Sequence, residues 1–178
     1  MKISKTNFEG LIYIQHNSYK DNRGSFTETF RNNILQDFLG FDTNFCQSNR
    51  VESNINVLRG LHFQELPYAQ SKLISVSQGK ILDIAVDLRK KSKTYSKYYS
   101  CILSSNLNNS LFIPKGFAHG YLTLENNTIV NYMVDEYYNI ESEKGIRYND
   151  PNLKIDWGIN HDNIIISEKD SKYENYKW

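Results

Sequence analysis

"KLISVSQGKILDIAVDL", residues 72–88, holds two strand-like runs joined by a short turn signal. Side chains on a strand repeat every two residues. Leu82, Ile84, Val86 and Leu88 therefore share one face of the second run, and Ile81, Asp83, Ala85 and Asp87 share the other. The uniformly apolar face is expected to be core. Gln78-Gly79-Lys80 reads as a tight turn, with Gly79 at a positive φ that costs glycine nothing.

The same pattern extends outward. "LIYIQH" (11–16) meets "KDNRG", and "VLRGLHF" (57–63) meets "QELP". "YYSCILS" (98–104), "SLFIP" (110–114), "HGYLTLE" (119–125), "TIVNYMV" (128–134) and "NIIIS" (163–167) follow, punctuated by Gly, Asn, Asp, Pro and Ser. Such closely spaced short runs predict an all-β sandwich or barrel rather than βαβ units. The 13 tyrosines suit a pleated, half-buried surface and supply rings for stacking. One helix is expected in "NNILQDFLG" (32–40). Ile34, Leu35, Phe38 and Leu39 lie on one side, Asn32 or Asn33 is placed to cap it, and Gly40 to end it. A second short helix falls in the last ten residues. The polar "SEKDSKYENYKW" (167–178) reads by composition as a frayed tail.

A chain of 178 residues is expected to form one domain, residues 1–178, with a real core. Its 21 basic and 20 acidic residues leave a net charge of +1, which argues against nucleic-acid binding by phosphate neutralisation. No apolar run of about eighteen residues occurs, which argues against a membrane span. The opening "MKISKTNFEGLIYI" lacks an apolar segment of signal-peptide length, so a cytoplasmic location is expected. Cys46 and Cys101 stand 55 residues apart, outside any CxxC pair, and are expected as free buried thiols. The four histidines, His16, His62, His119 and His161, form no His-x-His pair, which disfavours a metal site.

"NVLRGLHFQELPYAQSKL" (56–73) places Arg59, His62 and Lys72 among strand-forming residues. Histidine takes a proton near neutral pH. Lysine can face developing negative charge, and arginine grips phosphate through two parallel hydrogen bonds. Together they suit proton abstraction beside a carbonyl in a phosphate-bearing substrate. Taken singly, each could be an ordinary solvated or satisfied side chain. In a regular strand Arg59 and His62 point to opposite faces. Either Gly60 marks a bulge that brings both into one site, or one of them serves a neighbouring subunit. "DNRGSFTETF" (21–30) opens with a turn, with Arg23 and Glu28 as charged handles; its bland reading is a surface hairpin. In "IPKGFAHGYLTL" (113–124) His119 lies between two glycines that allow close approach of a backbone or a ligand.

These stretches, with "QSNRVESNINVLRGLHFQ" (47–64), "AQSKLISVSQGKILDIAVDLRKKSKTY" (69–95), "FIPKGFAHGYL" (112–122) and "YNDPNLKIDW" (148–157), resemble the dTDP-4-dehydrorhamnose 3,5-epimerase family over nearly the whole chain. The resemblance implies a cupin-like jelly-roll barrel with a few short helices, assembled as a homodimer with exchanged strands. It implies an active site inside the barrel that needs no metal or organic cofactor. The substrate it implies is a nucleotide-linked 4-keto-6-deoxy sugar. There the keto group acidifies C3 and C5, and reprotonation of an enolate from the opposite face inverts a carbon.

By the same resemblance His62 is the base, Asp170 the carboxylate that orients and strengthens it, Lys72 the enolate stabiliser and Tyr132 the acid. This displaces the frayed tail, because a catalytic partner cannot sit on one. Tyr138 borders the sugar. Arg23 and Arg59 are nucleotide and diphosphate contacts; Phe26, Glu28, Gln47, Asn49, His119, Glu143 and Lys169 are further binding positions, some of them reaching a partner's site. Gln47 and Asn49 would share one strand face. Three departures from the family pattern stand out: Phe63 where tyrosine is common, Gly158 where proline is frequent, and a divergent "NYMVDEYYNIESEKG" (131–145).

The family includes relatives that invert only C3 or only C5, and others that act on GDP-linked 4-keto heptoses. Two rivals lie outside it. A cupin ketoisomerase uses histidine bases that are often a close pair on one strand, which this chain lacks. A sugar-nucleotide-binding module with a dead site would be expected to lose His62, Tyr132 or Asp170, and all three are present.

Overall fold

The computed structural model describes residues 1–178. Its strands are β1 (Lys2–Lys5), β2 (Ile12–Gln15), β3 (Ser18–Asp21), β4 (Gly24–Thr27), β5 (Gln47–Ser53), β6 (Val57–Gln64) and β7 (Lys72–Gln78). They continue with β8 (Lys80–Asp87), β9 (Tyr98–Ser104), β10 (Asn109–Ile113), β11 (Phe117–Thr123), β12 (Thr128–Val134), β13 (Glu143–Gly145) and β14 (Ile165–Ile166). The helices are α1 (Asn32–Leu39) and α2 (Glu168–Ser171).

One sheet runs β1-β2-β10-β7-β12-β5 and the other β13-β6-β11-β8-β9, with β14 added parallel to β6. The eight strands β5–β12 divide between the two sheets in the order of a jelly roll, β5-β12-β7-β10 in one and β6-β11-β8-β9 in the other. The expected barrel is thus a pair of open sheets, not a hydrogen-bonded closed cylinder. β3 and β4 pair only with each other, as a separate hairpin. No helix is long and apolar enough to cross a membrane.

Burial of β8 differs from expectation. Ile84 and Val86 are core, but Ile81, Asp83, Ala85 and Asp87 are buried too. Ile81 and Ala85 pack between the sheets with Ile74, Leu103, Leu111 and Val130. Ile84 and Val86 pack on the outside, under Ile146, Leu153, Ile155 and Trp157. The C-terminal part of the chain covers a face that an isolated sheet would give to water, so Asp83 looks inward. A third cluster, built on Ile12, Ile14, Leu73 and Phe112, is covered by Leu35 of α1.

Gly79 makes the β7–β8 turn at φ +79°, as expected. Gly40 ends α1 at φ +78°, its N–H donating to Gln36 O at 2.8 Å. The helix start is different. Arg31 occupies the cap position without a side-chain capping bond, and Asn32 is already helical, its Oδ1 accepting from the Thr43 hydroxyl at 3.3 Å. The tail is anchored: Arg147 N–H donates to Glu174 O at 3.0 Å, Tyr176 N–H to Asp150 Oδ2 at 2.8 Å, and the Tyr176 and Trp178 rings meet at 4.6 Å. The cysteines are free but not fully buried. Cys46, just ahead of edge strand β5, is exposed, and Cys101 on edge strand β9 is half-buried.

Between β6 and β11 the register shifts. His62 pairs with His119 and Arg59 with Tyr121, so two residues of β6 oppose Gly120 alone. This bulge restores Arg59 and His62 to one face. Gly60 adopts φ +115°, and the Gly60–Leu61 peptide is cis. A Cβ on Gly60 would stand 2.6 Å from both Gly120 Cα and His119 O. Gly60→Ala is expected to destabilise the fold by about 2–5 kcal/mol through clash and positive-φ strain combined. Urea unfolding measures this, and a loss below about 0.5 kcal/mol, the range of neutral surface changes, would contradict it.

Candidate active site

The space between the sheets opens as two adjoining lobes of about 280 Å³ and about 330 Å³ that share His62, Lys72 and Tyr132. Arg59, His119, Lys169 and Asp170 line the first; Gln47, Asn49, Tyr138 and Glu143 line the second.

His62 projects from β6, with Nε2 2.8 Å from Asp170 Oδ1. Asp170 sits in α2, which begins with Ser167 as N-cap, the Ser167 hydroxyl accepting from Asp170 N–H at 3.0 Å. Its second oxygen accepts from Gly60 N–H at 3.0 Å. The residue is only 4% exposed. Burial pushes its carboxyl up, but the bond and charge of His62, the Gly60 N–H and the Ser167 hydroxyl outweigh this and hold it below the ordinary range. An ionised carboxylate can only accept, so Nε2 of His62 carries the hydrogen and Nδ1 is left as the basic nitrogen. The Tyr173 ring stands edge-on to His62 at 5.7 Å.

The opposite sheet carries the other two groups. Lys72 of β7 makes no ion pair; its ammonium donates to His62 O at 3.3 Å. Burial lowers Lys72 to about 8, against the opposing charges of Glu143 and Asp83. Tyr132 of β12 is pushed up by burial, with Arg59 opposing and Glu143 assisting, so it holds its proton at neutral pH.

Around these lie binding groups. Arg59 Nε donates to Ser53 Oγ at 3.2 Å, and His119 Nε2 is 2.7 Å from Asp83 Oδ1. Gln47 and Asn49 share a face of β5 and bond at 2.9 Å. At the rim, Tyr138 donates its hydroxyl to Glu143 Oε2 at 2.8 Å, and Lys169 pairs with the same oxygen. For Glu143, burial raises the carboxyl, but Lys169 and Tyr138 bring it below the ordinary range.

Three expected binding residues are not brought to this cavity. Arg23 on the β3–β4 hairpin is 85% exposed and pairs with Asp21, Phe26 is 68% exposed, and Glu28 pairs with Arg31. The hairpin pairs with neither sheet, and Arg23 and Glu28 are held in ion pairs outside the cavity. Conversely, Val51, Tyr121 and Ser167 line the cavity without having been singled out, as do Gln64 and Gln70. Asp83 was visible as the polar residue among Ile81 and Ala85, and Tyr121 as two residues from His119. No three His, Cys, Asp or Glu side chains are grouped to hold a metal ion.

Comparison with known proteins identifies the family and the fold. The sequence model of the dTDP-4-dehydrorhamnose 3,5-epimerase family matches residues 5–177. A dTDP-4-dehydrorhamnose 3,5-epimerase of Methanothermobacter thermautotrophicus is 46% identical over 172 residues, covering 96% of this chain and 91% of that one. The crystal structure of the Elizabethkingia anophelis epimerase superposes with a TM-score of 0.95 at 38% identity, over 99% of this chain and 96% of that one. A Legionella pneumophila 3,5-epimerase in complex with dTDP-4-keto-L-rhamnose gives 0.93 at 38% identity, over 98% and 92%.

Asp170 titrates lower in the fold than in the unfolded chain. Its ionised form therefore stabilises the fold above the ordinary carboxylate value near pH 4, and that contribution is lost as pH falls through the folded value. Asp170→Asn is expected to be less stable than the native protein at neutral pH, with a gap that narrows below about pH 4. Urea unfolding across this range checks it. A gap independent of pH would assign the loss to packing alone.

Proposed function

Since the chain belongs to the dTDP-4-dehydrorhamnose 3,5-epimerase family, we propose that it inverts C3 and C5 of dTDP-4-dehydro-6-deoxyglucose to give dTDP-4-dehydrorhamnose. It is an isomerase acting on a carbohydrate. The observation that carries this reading is the placement of a carboxylate-backed histidine on one sheet and a protonated tyrosine with a cationic lysine on the facing sheet.

The C4 keto group acidifies the hydrogens on C3 and C5. Nδ1 of His62 takes one of them, and the bonding pair moves through C4 onto O4. The Lys72 ammonium faces that oxygen; a single well-aimed donor of this kind is worth roughly 10²–10³ in rate. Tyr132 returns a proton from the opposite side, which inverts the carbon. Donor and acceptor must stand on opposite faces of the sugar, and they belong to opposite sheets. Arg59 holds the diphosphate. His119, Lys169, Glu143, Gln47 and Asn49 hold polar groups of the nucleotide sugar, and Tyr138 borders the sugar. Residues 1–178 act as one epimerase domain in the cytoplasm.

The enzyme works as a homodimer with exchanged strands. The exposed hairpin β3–β4 carries Arg23 and Phe26, with Glu28 just after it, and supplies all three to the partner's cavity. Their absence from the lining of their own cavity and the exposed Tyr19 and Phe26 rings support this.

In heavy water, dTDP-4-dehydro-6-deoxyglucose is expected to gain deuterium at C3 and C5, read by NMR. His62→Ala should cut exchange at both carbons at least about 100-fold, the low end for removing a general base. Native-like exchange in that variant would remove His62 as the base. Mixing Arg23→Ala with His62→Ala chains, each inactive alone, should recover about a quarter of native activity, because half the dimers form one complete site. No recovery after verified subunit exchange would place Arg23 in its own chain's site.

A further inference from the structure

Gln64 lies two residues beyond His62 on β6 and takes no part in the proton transfers above. It is only 7% exposed, and both ends of its amide are used. Nε2 donates to Tyr68 O at 2.6 Å and to Tyr137 O at 3.2 Å, while Oε1 accepts from Asn139 N–H at 2.7 Å. Tyr68 belongs to the loop joining β6 to β7; Tyr137 and Asn139 belong to the loop joining β12 to β13. One side chain thus ties two rim loops to each other and to the strand that carries the proposed base.

Polar bonds of the same kind complete the seam. Gln70 Nε2 donates to Glu136 O at 2.8 Å, and Ser71 N–H to Asp135 Oδ1 at 2.6 Å. Apolar packing contributes little at the tips, where Leu66 and Ile140 are exposed, Ile140 at 76%. The β12–β13 loop carries Tyr138. Its N–H donates to Gln47 Oε1 at 3.3 Å and its hydroxyl to Glu143, which is paired with Lys169 beside Asp170. Removing the Gln64 amide would leave two carbonyls and an N–H without partners, at about 1–3 kcal/mol each if they stay buried. The loop can relieve that cost only by moving outward to water.

We propose that Gln64 is a positioning residue for the sugar: by pinning the two rim loops to β6 it holds Tyr138 against the cavity and limits how the ring turns between the two deprotonations. This rests on the epimerase reading. A single base must meet both C3 and C5, so the sugar must be presented in two poses. A wall that moves by about 1 Å can change the rate of one pose up to a hundredfold. His62, Asp170 and Lys72 have no hydrogen bond to Gln64, so its loss is expected to act on the pose of the sugar more than on the base.

The test measures deuterium uptake at C3 and C5 separately, by NMR in heavy water, for Gln64→Met and Gln64→Glu. Met fills the volume without hydrogen bonds; Glu keeps an acceptor but loses both donors. The C3-to-C5 exchange ratio is expected to shift by about tenfold to a hundredfold in both, with an unchanged pH profile at the faster carbon in the uncharged Gln64→Met. Tyr138→Ala should shift the ratio in the same direction. The double variant Gln64→Met/Tyr138→Ala should be no more biased than Tyr138→Ala alone, because the two act as one unit. A native ratio, an equal fall at both carbons, or additive effects in the double variant would overturn the proposal. So would failure of both Gln64 variants to fold, which would make the residue purely structural. A native enzyme that exchanges neither carbon would overturn the epimerase reading itself, whereas native exchange with an unshifted ratio overturns only the role of Gln64.

Discussion

The extra residue that β6 inserts opposite Gly120 is the constraint on which the site depends. A regular strand would aim Arg59 and His62 to opposite faces. With the bulge, both enter one cavity and align with Tyr121 and His119 on the neighbouring strand. Two glycines make it fit, since a Cβ on Gly120 would also stand 2.8 Å from Arg59 O. Asp170 then locks the arrangement, one oxygen accepting from the bulge amide of Gly60 and the other lying against His62. Burying an ionised carboxylate costs several kcal/mol unless its oxygens are bonded. Here both oxygens are bonded, and the groups that offset the cost are the bulge and the proposed base. Folding and chemistry are thus coupled through one side chain.

The cupin-like jelly roll supplies the second requirement, two rigid walls with different chemistry. His62, Arg59 and His119 stand on the sheet whose outer face is covered by the C-terminal segment. Lys72 and Tyr132, with Gln47 and Asn49, stand on the facing sheet. Groups fixed on strands of two packed sheets keep their separation without loops having to order around the substrate. Burial adds the electrostatics. It lowers Lys72 and raises Tyr132, so the lysine charge is less hydrated than at a surface and the tyrosine remains a donor.

The rim is built differently. Hydrogen bonds from Gln64 and Gln70 hold it, and its tips carry exposed apolar side chains. Such a seam opens at lower cost than a packed sheet. It includes the middle of the stretch 131–145, where the sequence predicts a departure from the family pattern. Scaffold, proposed base and covering segment form one layer of constraint; the sugar-facing rim forms another, joined to the first through Gln64 and Glu143.

Much of this was legible in the chain. Alternation in Ile81–Leu88 placed β8, Gly79 its turn and Gly40 the end of α1, because these are local steric properties of a few residues. The side chains of Arg59, His62 and Lys72 suggested a shared chemistry, the resemblance added Tyr132 and Asp170, and all five line one cavity. Long-range packing decided the rest. Asp83 faces inward because residues 146–157, distant in sequence, bury the other side of β8. Asn32 does not cap α1 because its side chain is engaged with Thr43. The tail is ordered because Asp150 and Arg147 hold it. Local sterics and periodicity determine which segments become strands and where they turn. Only the tertiary structure determines which face is buried, which strand carries the extra residue and which loop is tied down, because those depend on partners supplied from elsewhere in the chain.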